Sequence, residues 1–172
     1  MSGVLGIDPS VACSGYAYVR DDIDVRDIGT IVTDSKHPEP QRLDRIYWEI
    51  KAMCETYKPD IVVMEDQFVG KNPQTGLYLA RARGVAMLAC YHAGVEVILY
   101  APSEIKKAMT GKGNAKKELV QTCAVEAFKE SSLVQELFKD GIKKTGKKKN
   151  DDISDALAAV YTYKKLGRKE AA

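Results

Sequence analysis

The sequence lacks the features that would mark a membrane protein, a secreted protein or a zinc-binding module. Its 172 residues contain no run approaching the roughly 18 consecutive apolar residues that a membrane-spanning helix needs. The amino terminus has no basic segment followed by an apolar one, so we expect no signal peptide. The four cysteines lie far apart without a Cys-x-x-Cys pair, which favours reduced thiols and a cytoplasmic location over a disulfide framework.

The composition excludes a disordered or fibrous chain. Hydrophobic residues make up 45% and charged residues 29% of the sequence, both ordinary values for a globular protein. No internal repeat or linker divides the chain, and its length suits one domain with a sizeable core. We therefore predict a single domain over residues 1–172.

The net charge is +2, but the charged residues are distributed unevenly along the sequence. Residues 1–100 carry 10 Lys and Arg against 14 Asp and Glu, whereas residues 101–150 carry 12 against 6. A polyanionic partner is one interpretation of this basic segment, and a merely solvated face is the other. Residues 143–149 (Lys-Lys-Thr-Gly-Lys-Lys-Lys) contain no apolar residue, so we predict a flexible basic loop there.

The hydrophobic pattern predicts a mixed sheet with helices. Short apolar runs predict five strands, at residues 4–7, 15–20, 25–33, 61–64 and 95–100. Helical spacing and stop signals predict six helices, at residues 42–58, 75–92, 103–108, 115–129, 132–139 and 151–166, the third of them capped by Ser103. Three strands in a row, followed by alternating helices and strands, favour an α/β fold. The sheet begins as an antiparallel meander and continues with parallel strands, with helices on both faces.

Acidic residues recur at positions that this fold can bring together. Asp8 ends the first strand and Glu65 ends the fourth, and sites in open α/β sheets form at the carboxyl ends of strands. On the last helix, Asp151, Asp152 and Asp155 fall within about 100° of arc, because an α-helix has 3.6 residues per turn. The apolar residues of that helix lie on its other side, so it can pack while turning a carboxylate face elsewhere.

Converging carboxylates repel one another unless cations lie between them. Mg²⁺ suits such a site because it takes oxygen ligands and keeps water and phosphate in its shell. Two ions about 4 Å apart would activate a water and stabilise the leaving oxygen of a phosphodiester. Structural roles compete with this interpretation, since Asp8 before Pro9 can open a turn and Asp151 and Asp152 can meet the dipole of the last helix.

Two further features have both a structural and a functional interpretation. Lysines cluster around a glycine-containing loop and can contact DNA phosphates or simply be solvated; they are Lys106, Lys107, Lys112, Lys116 and Lys117.

Gly76, Ala80 and Gly84 recur every four residues and leave a flat strip on the helix 75–92. That strip can pack on the protein's own sheet or on a second copy of the chain.

Five sequence blocks, taken in order, resemble the RuvC family of Holliday-junction resolvases, whose fold is RNase H-like. They cover the chain from residue 4 to about residue 163. The blocks are Gly6-Ile7-Asp8-Pro9-Ser10 with Gly15-Tyr16, Glu65-Asp66-Gln67-Phe68-Val69-Gly70-Lys71-Asn72, Ala82-Arg83-Gly84, the stretch from Tyr100-Ala101-Pro102 through Lys106 and Thr110-Gly111-Lys112-Gly113 to Lys117, and Asp152-Ile153-Ser154-Asp155-Ala156-Leu157-Ala158.

The resemblance implies a role for each matching residue. Asp8, Glu65, Asp152 and Asp155 would bind metal and catalyse, with two Mg²⁺ ions per site that Mn²⁺ can replace. Phe68 would act as a wedge at the junction crossover. The lysines at the matched positions would contact DNA; these are Lys71, Lys106, Lys112 and Lys117. The family also implies a homodimer through the helix 75–92, with branched DNA and four-way junctions as partners.

Some residues depart from the family pattern. The stretch between Lys129 and Asn150 is longer and richer in lysine than in typical bacterial members, Asp151 is an extra acid beside the last motif, and Asp66 adds a negative charge beside Glu65. These departures favour a phage or mobile-element relative that accepts a broader range of branched DNA.

Three other functions compete with a junction-cutting endonuclease in recombination and repair. A nuclease of the same fold could act on RNA or RNA–DNA hybrids. An actin-like or sugar-kinase-like ATPase also begins with a strand-end Asp, but 172 residues cannot supply the two domains that enclose its nucleotide. A catalytically silent junction-binding module is the third, and the presence of all four carboxylates argues against it.

Overall fold

The structure, a computed structural model, describes residues 3–66, 73–144 and 150–167. Within these ranges it contains one five-stranded sheet in the order β3-β2-β1-β4-β5. The strands are β1 Gly3–Asp8, β2 Cys13–Arg20, β3 Asp24–Val32, β4 Ile61–Glu65 and β5 Val97–Tyr100. The helices are α1 Glu39–Tyr57, α2 Pro73–His92, α3 Pro102–Thr110, α4 Lys117–Ala127, α5 Ser132–Phe138 and α6 Asp151–Leu166.

The sheet combines an antiparallel half with a parallel half, as the pattern predicts. Strand β1 pairs antiparallel with β2, which pairs antiparallel with β3. On its other side β1 pairs parallel with β4, and β4 pairs parallel with β5. The carboxyl ends of β1 and β4 therefore lie side by side, with Ile7 opposite Met64.

Along the central strands β1 and β4, successive side chains alternate between two separate cores. They do so because side chains of a strand point to opposite faces of the sheet, and here both faces are buried. Leu5 and Ile7 of β1 and Met64 of β4 pack with buried residues of α1 and α2. Val4 of β1 and Val63 of β4 pack on the opposite side with residues of α3, α4, α5 and α6. The predicted placement of helices on both faces is therefore confirmed.

Two glycines allow α6 to lie directly on the sheet. A Cβ atom on Gly6 would come within 2.4 Å of the main-chain oxygen of Ala156, and one on Gly15 within 2.1 Å of that of Asp152. No larger residue fits at these two positions. The close approach brings the first turn of α6 beside the end of β1.

Several predicted element ends differ from the observed ones. Helix α3 begins at Pro102 with Ala101 as its N-cap, so the prediction that Ser103 caps it is wrong. Proline is favoured at the first helical position, and the Glu104 carboxylate accepts a hydrogen bond from the Ala101 N–H at 2.8 Å. The last strand begins at Val97, because the N–H of Val95 still donates to Cys90 O at the end of α2.

No helix in the described part of the chain is both long enough and apolar enough to span a membrane. Of the predicted basic loop, residues 145–149 lie outside the described ranges, so its flexibility stays a prediction.

Candidate active site

Four carboxylates predicted from the sequence meet at one edge of the sheet. Asp8 ends β1 and Glu65 ends β4, while Asp152 and Asp155 occupy the first two turns of α6. Asp8, Asp152 and Asp155 each offer a carboxylate oxygen, and these three oxygens lie within 4.8 Å of one another. Glu65 does not belong to this compact group, but it lines the same cavity as Asp8 and Asp155.

The cavity has a volume of about 360 Å³ and combines charged and apolar walls. The carboxylates of Asp8, Glu65 and Asp155 and the ammonium groups of Lys106 and Lys117 supply its charges. Its apolar lining comes from α2, α3, α4 and α6, through Leu79, Pro102, Ile105, Val120 and Ala158. Ions inside such a partly apolar cleft interact more strongly than they would in water.

Burial and mutual repulsion disfavour the charged forms of these acids. Burial raises the pKa of Asp8 well above its ordinary value, and the negative charges of Asp155 and Asp152 raise it further. Burial also raises the pKa of Glu65, with an added contribution from Asp155. For Asp155, burial raises the pKa more than the neighbouring Lys117 lowers it.

Helix α4 supplies the contacts that partly balance the charge of Asp155. The Lys117 ammonium lies 2.7 Å from Asp155 Oδ2, and the Gln121 Nε2 donates to Asp155 Oδ1 at 3.0 Å. Burial lowers the pKa of Lys117, but its ion pair and hydrogen bond with Asp155 outweigh that effect, so the pKa is raised. Sequence reasoning missed Gln121, although its position four residues after Lys117 places both on one helix face.

The donor set fits a divalent cation of the Mg²⁺ type. Three carboxylate oxygens close together provide hard oxygen ligands, and the burial and mutual repulsion that raise the pKa of Asp8 would be relieved by a bound cation. Asp8, Asp152 and Asp155 would hold such an ion, with Glu65 at the side of the cavity. Metal binding needs these carboxylates ionised, so it would offset their repulsion.

Asp151 has surroundings different from those of its neighbour Asp152. Both are buried in the first turn of α6, but Asp151 is not part of the three-carboxylate group. Its negative charge contributes to the raised pKa of Asp155. The structure thus places Asp151 near the site without making it one of the converging ligands.

An arginine on α2 compensates the extra acid beside Glu65. The Arg83 Nη1 lies 2.7 Å from Asp66 Oδ1, and the Asp66 N–H donates to Tyr100 O at 2.8 Å. Asp66 therefore has a cationic partner outside the cluster of acids. The pKa of Glu65 is raised by burial and by the charge of Asp155, not by the neighbouring Asp66.

The predicted DNA-binding residues occupy three different settings. Lys106 on α3 and Lys117 on α4 line the cavity itself, whereas Lys112 is exposed in the loop after α3. Phe68 and Lys71 lie outside the described residues, and their roles stay predictions. Lys117 is thus as much a part of the acidic site as of any phosphate-binding surface.

The outer face of α2 is exposed in the single chain. Leu77, Leu88 and Tyr91 are exposed large hydrophobic residues, and a Cβ atom on Gly84 would meet none of the described residues within 4 Å. Helix α2 packs on the protein through other residues, namely Ala82, Ala86, Ala89 and Cys90, which are buried. One interpretation of the strip formed by Gly76, Ala80 and Gly84 is that it packs on the protein's own sheet. At Gly84 this interpretation is wrong.

Comparisons with known proteins find relatives over nearly the whole chain. A family model described as crossover junction endodeoxyribonuclease RuvC matches residues 4–163. The RuvC protein of Syntrophomonas wolfei is 36% identical over 163 residues, covering 93% of this chain and 87% of that protein. The RuvC protein of Chlamydia muridarum is 34% identical over 167 residues, covering 95% and 91%.

Solved structures share the fold. The structure of T. thermophilus RuvC in complex with a Holliday junction substrate superimposes with a TM-score of 0.79 at 24% identity, covering 98% of this chain and 96% of that one. The yeast mitochondrial Holliday junction resolvase Ydc2 gives a TM-score of 0.66 at 13% identity, covering 95% and 78%.

Proposed function

The chain belongs to the RuvC family of crossover junction endodeoxyribonucleases, and from this membership we propose that it cuts four-way DNA junctions at the site formed by Asp8, Glu65, Asp152 and Asp155. The observation that carries the proposal is the convergence of carboxylate oxygens of Asp8, Asp152 and Asp155 within 4.8 Å of one another. Their positions are those at which the sequence resembles the catalytic motifs of the family.

We propose Mg²⁺ as the natural ion, held by these carboxylates. A divalent cation bound there would stabilise the charge that develops on the phosphate and lower the pKa of a water. The chain's own contribution is to hold the ligands on β1, β4 and α6, elements whose packing fixes their separation. The cationic side chains of Lys106 and Lys117 line the same cavity, where they attract and orient a DNA phosphate.

A symmetric dimer would suit a four-way junction. The exposed apolar face of α2, with Leu88 and Tyr91, supports dimer formation through this helix. A two-fold axis would present one site to each of two strands of like polarity, so that one bound dimer cuts both. Phosphate contacts would give affinity, and the geometry of the junction would give selectivity.

The test separates cutting from binding. Asp8→Asn, Glu65→Gln and Asp155→Asn should each abolish cleavage of a labelled four-way junction in Mg²⁺, because each removes a metal-holding charge. Binding to the same junction in EDTA should stay within about threefold of the original protein, since the lysines are unchanged. Cleavage at the original rate by any of the three would contradict the assignment of the site.

Asp151→Asn provides the matched control on the same turn of α6. It should retain most of the cleavage activity, whereas Asp152→Asn should lose it, because Asp152 belongs to the converging group and Asp151 does not. An RNA–DNA hybrid duplex tested beside the fixed and mobile junctions distinguishes the alternative of a hybrid-cutting nuclease. Cutting of the hybrid in preference to both junctions would overturn the proposed substrate.

A further inference from the structure

Helix α4 offers two side chains, one turn apart, to the same carboxylate. Lys117 Nζ lies 2.7 Å from Asp155 Oδ2, and Gln121 Nε2 lies 3.0 Å from Asp155 Oδ1. Each oxygen of Asp155 therefore has its own partner from α4. The two partners differ in one respect, since the Lys117 side chain is 56% exposed whereas Gln121 is fully buried.

The orientation of the Gln121 amide is determined by its surroundings. A carboxylate accepts hydrogen bonds, so the NH₂ group of Gln121 has to face Asp155. The same Nε2 lies 3.5 Å from the main-chain oxygen of Asp151, at the limit of a hydrogen bond. The Gln121 Oε1 is buried and accepts no hydrogen bond from the described residues. Among the described residues, the one hydrogen bond of the Gln121 amide that is clearly within bonding distance is therefore the bond to Asp155.

We propose that Gln121 is a positioning residue that fixes the carboxylate of Asp155 in the orientation needed to bind the catalytic metal. The proposal rests on the function proposed above for this site. The last torsion of an aspartate side chain is broad, so packing alone does not set the plane of the carboxylate. A buried donor on Oδ1 sets that plane, and Oδ2 lies on the side of Lys117, a residue that lines the cavity.

Lys117 cannot perform this task in the metal-bound state. Its ammonium occupies the Oδ2 side of Asp155, where it supplies a positive charge to the acidic cluster in the absence of metal. A divalent cation held by Asp155 would compete with this exposed ammonium for the carboxylate. Gln121, on the other oxygen, would keep its hydrogen bond with the cation bound.

Partners of this kind, which hold a ligand rather than the metal, typically change metal affinity by 10–100-fold when removed. Gln121→Met keeps the length and volume of the side chain but removes the donor. Since the replacement also removes the unsatisfied Oε1, the fold should tolerate it. Gln121→Asn, a second variant, keeps the amide but withdraws it by one methylene from Asp155.

The first measurement needs no DNA and no cleavage. Thermal unfolding of the full chain is followed while Mn²⁺ or Mg²⁺ is added. The metal midpoint, the concentration at which half of the native protein has bound metal, is obtained from the stabilisation, which grows as RT ln(1 + [metal]/Kd). We expect this midpoint to rise by about 10-fold or more in both variants. Val134→Ala is the control, a buried truncation on α5 that lowers stability without touching the site; its metal midpoint should be unchanged.

The second measurement compares the kinetic constants for junction cleavage. With metal held at a fixed level below saturation, kcat should fall by about 10-fold or more in Gln121→Met, while KM and junction binding in EDTA stay within about twofold. A metal midpoint and a kcat equal to those of the original protein would overturn the role of Gln121. So would an equal shift of the metal midpoint in Val134→Ala, because it would assign the effect to stability. Failure of the original protein to cut any junction would instead contradict the proposed function, and the metal titration would still test Gln121.

Discussion

Asp8 lies at the end of a central strand and faces the charges of Asp155 and Asp152. Burial and these charges raise its pKa above the ordinary value of 3.8, so ionising Asp8 costs folding free energy in the metal-free protein. The cost is absent at pH values below 3.8, grows as the pH rises toward the raised pKa and is constant above it. The acidic cluster therefore lowers the stability of the metal-free protein, a cost that the proposed cation would offset.

The Asp8→Asn variant should be more stable than the original protein in EDTA. We expect a gain of about 1 kcal/mol or more near pH 8, which raises the melting temperature by roughly 2–4 °C or more for a chain of this size. The gain should shrink as the pH falls through the raised pKa toward 3.8, because the original aspartate then becomes neutral. Thermal unfolding of both proteins across this pH range measures it. Equal melting temperatures at pH 8 would show that the charge of Asp8 is already compensated.

At the scale of elements, the close contact between α6 and the sheet sets the geometry of the site. Gly15 of β2 lies against the main chain of Asp152, and Gly6 of β1 lies against that of Ala156. These two contacts fix how far α6 stands from β1, and with it the distance from Asp152 to Asp8. The glycines therefore act on the site through packing rather than through their own chemistry.

Gly15→Ala should push the first turn of α6 away from the sheet. The added Cβ would lie 2.1 Å from Asp152 O and 2.3 Å from Asp152 C, and main-chain atoms cannot move aside cheaply. We expect a loss of about 3 kcal/mol, or roughly 6–12 °C in melting temperature, together with weaker metal binding in the DNA-free titration. An unchanged melting temperature and an unchanged metal midpoint would show that α6 has room to relax.

The sequence was most informative where a single rule decides the local structure. The bounds of α6, the neighbouring ends of β1 and β4, and the convergence of Asp8 with Asp152 and Asp155 follow from periodicity and strand-end placement. The start of α3 was mispredicted because Ser103 is a good N-cap by type, whereas Pro102 at the first helical position moved the cap to Ala101. Gln121 and the Asp66–Arg83 pair were missed because contacts between elements depend on how α4 packs on α6 and α2 on β4.

At the scale of the whole molecule, the two faces of the sheet are covered by different helices and differ in their proposed functions. One face bears α6 with α3 and α4, and the cavity lies at its edge. The other face bears α1 and α2, and α2 turns Leu88 and Tyr91 outward. Helix α2 also contributes Leu79 to the cavity, but Leu88 and Tyr91 do not line it, so the proposed dimer contact can be changed there without touching the carboxylates.

Leu88→Glu should separate these two properties. A charge in the middle of an apolar interface is costly to bury. We therefore expect the original protein to sediment as the proposed dimer and the variant, at the same concentration, as a monomer. On a supercoiled plasmid with an extruded cruciform, a dimer that cuts both strands yields linear DNA. The monomer should yield mainly nicked circles, because only one site engages each junction. Leu133→Glu, at an exposed leucine on α5, should leave both the sedimentation and the linear product unchanged. A dimeric Leu88→Glu protein that still linearises the plasmid would exclude the outer face of α2 as the dimer contact.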